Sequence, residues 1–245
     1  MKLPYIDIHN HSLPGVDDGA RSLDESIFML RQAADEGIGT VILTPHQKPG
    51  RECADRDRIE EKVRQLQTTL DEQQIPVKLY PGAEVLYSYD MTAFLRREKA
   101  CPLADSHYVL TEFLPDAEWT YIQNGVYELR NAGYIPVIAH TERCLNVACD
   151  LDRVDELRES GCLIQINAGN LTGLGMDRLK KSAKRLVKEQ LADIVATDAH
   201  RASGSRQVRI ADCAAWIRRK CGTSYAERLL YENAAAILKD EEIPL

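Results

Sequence analysis

An α/β barrel of parallel strands is predicted by three observations. Short apolar, β-like runs alternate with longer runs of helical periodicity through the 245 residues, and such alternation requires a parallel sheet with helical crossovers. About seven strand-plus-helix units fit, one short of the usual eight, which gives a distorted TIM-like (β/α)7 barrel. Polar, ligand-type residues stand where the strand-like runs end, and barrels of this class gather their sites at that face. An open doubly wound sheet is the alternative, but closure explains the strand ends better. The whole of 1–245 is expected to form one domain.

The first strand, Tyr5-Ile6-Asp7-Ile8, delivers His9-Asn10-His11. Ser22-Leu23-Asp24-Glu25 then fits a capping box, and Leu23, Ile27, Leu30, Ala34 and Ile38 recur at helical spacing. The run Val41-Ile42-Leu43-Thr44-Pro45 delivers His46. Ile59, Val63, Leu66 and Leu70 mark a second helix, and the run from Val77 to Ala83 delivers Glu84. A short helix is expected near 90–99. Tyr108 to Thr111 delivers Glu112, a helix near 118–132 ends at Gly133, and Ile135 to Ala139 delivers His140. Leu151, Val154 and Leu157 mark a helix that Gly161 ends, and Leu163-Ile164-Gln165-Ile166 delivers Asn167. Leu179, Ala183, Leu186, Val187 and Leu191 mark the next helix, and Ile194 to Thr197 delivers Asp198 and His200. Two helices, near 206–220 and 224–239, finish the chain, with Arg206 opening the first.

Residues two apart on a strand point the same way, so His9 and His11 can face one ion, as can Asp198 and His200. Imidazoles and carboxylates converging at one mouth are the donor set of catalytic divalent metals, and a carboxylate such as Glu84 or Glu112 can bridge two ions. His107 begins a strand and is expected at the opposite face, in a structural role. Asp17-Asp18-Gly19 reads as an Asp-Gly turn near the mouth, with Asp18 a candidate ligand or general acid. Arg143 and Arg206 can reach the mouth, where a guanidinium suits a phosphoryl group.

Composition narrows the alternatives. With 31 basic and 38 acidic residues the net charge is −7, unlike a surface built to grip a nucleic-acid backbone. Seven cysteines without a Cys-x-x-Cys pair fit a reduced, cytoplasmic setting. No run is long enough to insert into a membrane, and no signal-peptide core is present. No phosphate-binding glycine loop follows a strand. A cysteine-based phosphatase loop, Cys-x5-Arg, matches only Cys213 to Arg219, in helical sequence with no free backbone N–H groups to cradle an anion.

Taken together, His9-x-His11, Asp17-Asp18-Gly19, Thr44-Pro45-His46, Gly82-Ala83-Glu84, Glu112-Phe113, His140-Thr141-Glu142-Arg143 and Asp198-Ala199-His200 resemble the PHP (polymerase and histidinol phosphatase) superfamily over residues 5 to about 235. Within it, they look like the bacterial manganese-dependent protein-tyrosine phosphatases of capsule and exopolysaccharide clusters. The resemblance implies that His9, His11, His46, Glu84, Glu112, His140, Asp198 and His200 hold two or three divalent ions, manganese foremost, with iron or zinc as alternatives. It implies that Asp18 acts as general acid or outer ligand and that Arg143 and Arg206 hold the phosphoryl group. In the family pattern the second arginine follows the last histidine by five residues, whereas here Ser205 stands there and Arg206 comes next. The implied reaction is attack of metal-held hydroxide on phosphorus, without a phosphoenzyme. The implied substrate is phosphotyrosine on the tail of a bacterial tyrosine autokinase that controls polysaccharide assembly. Histidinol phosphate or another small ester is the alternative substrate, and a phosphodiester or a purely binding role are more distant readings.

Overall fold

The computed structural model describes residues 4–173 and 176–244. Among them, nine strands make seven staves. β1 is Tyr5–Asn10. β2 (Ile38–Leu43) and β3 (His46–Gln47) are halves of one stave, and β4 (Lys78–Pro81) and β5 (Glu84–Leu86) halves of another. β6 (Tyr108–Glu112), β7 (Ile135–Ile138), β8 (Leu163–Asn167) and β9 (Ile194–Ala196) complete the set. All neighbours pair in parallel, in the orders β1-β2-β4 and β3-β5-β6-β7-β8-β9. The breaks have local causes. Pro45 has no N–H to give a ladder, yet its carbonyl accepts from Glu84 N at 3.2 Å, which sets His46 beside Glu84. At Gly82 a Cβ would come within 2.7 Å of Ile42 Cγ2.

The curled sheet meets itself where β9 ends. Asp198 N donates to His9 O at 2.8 Å and His11 N to Ala199 O at 2.9 Å. Beneath them Asp7 accepts from the Thr197 hydroxyl at 2.6 Å and the Asn10 amide at 3.1 Å. The expected barrel is thus the observed architecture.

The helices that cross between staves are α1 (Leu23–Asp35), α2 (Arg56–Glu72), α3 (Met91–Arg96), α4 (Trp119–Asn131), α5 (Leu145–Ala148), α6 (Leu151–Glu159), α7 (Ala168–Thr172) and α8 (Asp177–Lys188), and α9 (Ala211–Cys221) follows the last stave. Half of the predicted capping box is present at α1, where the Ser22 hydroxyl accepts from Glu25 N at 3.2 Å, while the Glu25 carboxylate accepts from Arg21 N at 2.9 Å in place of Ser22 N. Inner positions of the staves, including Ile6, Ile8, Ile42, Leu110, Leu163 and Ile194, form an apolar floor closed by α11 (Asn233–Leu238). α10 (Thr223–Glu227) leads to α11 through a wide π turn at Arg228–Glu232. Alternate positions such as Val41, Val109, Ile164 and Val195 pack outward against the helices. This period of two carries Leu110 into Glu112 and Leu163 into Gln165 and Asn167, from apolar floor to polar mouth. In β1 a register irregularity between Asp7 and Asn10 changes the parity. Ile6 and Ile8 stay in the floor while His9 and His11 both reach the mouth.

One expectation is corrected. Arg206 does not open a helix: α9 starts at Ala211. His200 N and Arg201 N donate to Arg206 O at 2.9 and 3.1 Å, and Gly204 takes φ +87°. These bonds fold 200–209 into a loop over the mouth. His107 lies at the opposite face, with Nδ1 2.6 Å from Asp240 Oδ2.

Candidate metal centre

The strand ends bring eight donor residues together. Glu84 is central and its side chain is fully buried. Its Oε2 lies 3.3 Å from His9 Nε2, 3.3 Å from His11 Nε2 and 3.0 Å from His46 Nδ1, and its Oε1 lies 2.8 Å from His140 Nε2. Glu112 approaches the same His140 nitrogen at 3.7 Å. Asp198 Oδ1 stands 3.5 Å from His9 Nε2 and 3.4 Å from His200 Nδ1. The His11 and His200 rings stack at 3.7 Å. Four overlapping groups, His9/His11/Glu84, His46/Glu84/Glu112, His11/His46/His200 and Asp17/Asp18/His46, have donor atoms within 4.8 Å of one another. His140 (φ +34°) and Asp198 (φ +53°) hold left-handed backbone, a costly conformation that concentrates at functional sites.

Burial and charge compete throughout. Burial disfavours the Glu84 anion, yet His9 and the other surrounding imidazoles hold its carboxyl well below the usual range. Burial likewise opposes the Asp198 anion, and His9 and Arg143 outweigh it to lower its pKa. Burial works against a charged His9, but Glu84 and Asp198 raise its pKa. His200 moves the other way, down to about 3, through burial and the neighbouring His11. Burial, reinforced by Glu84, pushes Glu112 up.

These residues fit divalent ions. Glu84 Oε2, His46 Nδ1 and His140 Nδ1 are buried atoms without a hydrogen-bond partner among the described residues, and each can donate a lone pair. Buried polar atoms are seldom left unsatisfied. Mixed imidazole and carboxylate donors accommodate manganese, iron or zinc.

The flanking groups follow. Arg143 reaches in from a turn at Thr141–Arg143 and donates to Asp198 Oδ2 at 3.0 Å. Arg206 donates to Asp18 Oδ2 at 3.2 Å and touches His200 Nε2. Asp18, 57% exposed, lies 3.4 Å from His46 Nε2. Burial works against its charge, but His200, His46 and Arg206 lower its pKa. A cavity of about 290 Å³ opens beside these groups, lined by Arg143, Asn170, Met176, Asp198, Arg206 and Arg209.

Sequence reasoning assigned no part in holding the donors to several residues that do so. Asp17 Oδ2 bonds His11 Nδ1 at 2.8 Å and accepts from His46 N at 3.0 Å. Burial opposes its ionisation, but His11 brings it down to about 2. Burial also opposes the His11 cation, and the Asp17 bond together with the nearby Glu84 charge push it up to about 10. Gly19 belongs to the same turn, because a Cβ there would overlap His11 O. Gln165 and Asn167 on β8 touch His9 and Asp198. Glu142 accepts from Asn167 N and Asn170 Nδ2 at 3.1 and 2.6 Å. The available signal was the period-two spacing of Gln165 and Asn167 at a strand end.

The chain matches known proteins over nearly its whole length. A family model described as "Capsular polysaccharide synthesis, CpsB/CapC" covers residues 5–239. Tyrosine-protein phosphatase YwqE of Bacillus subtilis is 34% identical over 238 residues, 97% of this chain and 93% of that protein. Tyrosine-protein phosphatase CpsB of Streptococcus pneumoniae is 30% identical over 243 residues, 97% of this chain and 100% of that protein. A crystal structure from work on YwqE and CpsB, "unique metal-dependent tyrosine phosphatases", superimposes with a TM-score of 0.90 at 34% identity, covering 98% of this chain and 96% of that one. The phosphotriesterase homology protein of Escherichia coli shares only the fold, with a TM-score of 0.61 at 12% identity.

Proposed function

Because the chain belongs to the CpsB/CapC capsular polysaccharide synthesis family, we propose that it is a metal-dependent protein-tyrosine phosphatase acting in capsule or exopolysaccharide synthesis. The observation that carries this reading is Glu84. A fully buried carboxylate faces nitrogen atoms of four histidines, with one oxygen left without a hydrogen bond. Such an arrangement suits cations better than it suits an empty core.

In this reading His9, His11, His46, Glu84, Glu112, His140, Asp198 and His200 hold two or three divalent ions, manganese in preference to iron or zinc. Bound ions supply positive charge at the phosphoryl oxygens and acidify water at the site. The chain's own groups do the rest. Arg143 and Arg206 flank the cavity beside Asp198 and turn their N–H groups to the phosphoryl oxygens, a geometry guanidinium favours. Water supplies the entering oxygen, the bond from phosphorus to the phenolic oxygen breaks, and phosphate and tyrosine leave. Asp18 is ionised at neutral pH, which suits an orienting or ligand role more than that of an acid. A tyrosinate, of intrinsic pKa about 10, departs with less proton assistance than an alkoxide.

The substrate class is phosphotyrosine on protein, with the tail of a bacterial tyrosine autokinase the fitting partner and the cytoplasm the fitting compartment. No described helix is long and apolar enough to cross a membrane. Residues 1–245 act as one PHP-type barrel domain. The test is phosphate release by chelator-stripped protein, with and without manganese, from a tyrosine-phosphorylated peptide and from histidinol phosphate. Manganese-dependent turnover of the peptide, well above that of the small ester, is expected. Turnover of histidinol phosphate alone would replace the substrate assignment.

A further inference from the structure

Gln165 is fully buried in β8 and belongs to no ligand set. Its amide orientation is fixed by the backbone. His140 N–H can only donate, and it lies 2.7 Å from Gln165 Oε1, so that atom is the carbonyl oxygen. The same Oε1 is 3.1 Å from His9 Nδ1. A carbonyl only accepts, so His9 carries a proton on Nδ1, whether the ring is neutral or charged. Its Nε2 then faces Glu84 and Asp198. At the other end Gln165 Nε2 donates to Asn167 Oδ1 at 2.9 Å, and Asn167 Nδ2 donates to Asp198 Oδ2 at 2.6 Å. One amide thus ties donors on β1, on the turn after β7 and, through Asn167, after β9.

We propose that Gln165 is a positioning residue. It fixes the Nδ1–H tautomer of His9 and the His140 backbone, and so sets the affinity of the centre for divalent ions. This rests on the reading of His9, His140 and Asp198 as ligands. The amide is suited to the task because it accepts without charge. A carboxylate there would add another buried anion beside Glu84, Glu112 and Asp198, and would lose the donor to Asn167. His11 and His200 are anchored through Nδ1 by other acceptors, Asp17 and the Asp198 carbonyl, so they serve as internal references.

The test uses zinc-loaded protein, which is diamagnetic, with 15N-labelled histidine, and calorimetric titration of the stripped protein with zinc and manganese. In the wild type the His9 proton is expected on Nδ1. In Gln165→Leu the His9 signature should change while His11 and His200 keep theirs, and ion affinity should fall about 10–100-fold, the usual cost of losing such a partner. Gln165→Glu, which keeps the acceptor, should restore the Nδ1–H signal. If Gln165→Leu does not fold, the wild-type tautomer and the Gln165→Glu spectrum still decide. A His9 proton on Nε2 in the wild type, or unchanged affinity and tautomer in Gln165→Leu, overturns the positioning role and leaves the phosphatase reading standing. Wild-type protein that binds no ion overturns both.

Discussion

The same seven staves build two unlike halves. At the floor, Ile6, Ile8, Leu110, Leu163 and Ile194 fill the barrel with side chains that need no partner. At the mouth, His9, His11, Glu84, Gln165 and His200 are as deeply buried, yet each carries a group that must be paired. Apolar burial is non-directional and stabilises by area. Polar burial stabilises only when geometry and charge are complementary. The floor should therefore govern whether the chain folds, and the mouth what the folded chain can bind.

The sharpest way to break this contrast is Asp198→Ala. It removes a carboxylate that faces three histidines and two arginines. Phosphopeptide kcat/KM, measured per folded molecule, should fall by about a thousand-fold or more, several kcal/mol of lost transition-state stabilisation. The mirror experiment is Leu110→Ala in the floor. It should cost about 2–5 kcal/mol of stability, read by denaturant unfolding, with turnover per folded molecule preserved at saturating manganese. A large activity loss there would erase the division.

Arg143→Ala lies between the two. Losing one charge-stabilising donor typically costs about 10²–10³-fold in turnover, and metal affinity should be held or raised, since Asp198 loses a competing cation. A pH series sharpens the picture further. Asp17 is depressed in the folded state, so its contribution is present above the unfolded value near 3.9 and is lost as pH falls towards about 2. His11 is raised, so its contribution is complete below about 6.5 and is lost as pH rises through about 10. The difference in thermal midpoint between stripped wild type and stripped Asp17→Asn should therefore be largest between about 4 and 6.5 and shrink on both sides of that window. The smallest effect is expected from His107→Ala, whose pairing with Asp240 is exposed. It should cost at most about 1 kcal/mol in unfolding experiments and leave turnover unaltered.

Much of this was legible in the sequence. Apolar runs ending in His, Glu or Asp specified both the staves and the side of the barrel on which chemistry gathers. What escaped notice were the residues that hold the donors. Asp7, Asp17, Gln165 and Asn167 act across staves, and their partners are known only once strand register is fixed. Arg206 was misplaced because the helical run that includes Cys213 and Ile217 was started five residues too early, at Arg206 instead of Ala211. Gly204 and the backbone bonds to Arg206 O break the helix before Ala211. The strand breaks at Pro45 and Gly82 likewise depend on contacts with neighbouring staves.

The closure between β1 and β9 has a consequence for synthesis. Asp7 and Thr197 are 190 positions apart, and the pairs His9/His11 and Asp198/His200 flank that junction. A growing polypeptide therefore displays its first histidines long before their partners exist. At about 5–20 residues per second the delay is about 10–40 s. During that time the early histidines and Glu84 can offer an ion only a partial grip. With the proposed ligand set, tight capture waits for the last stave, so metal uptake would report that the barrel has been completed.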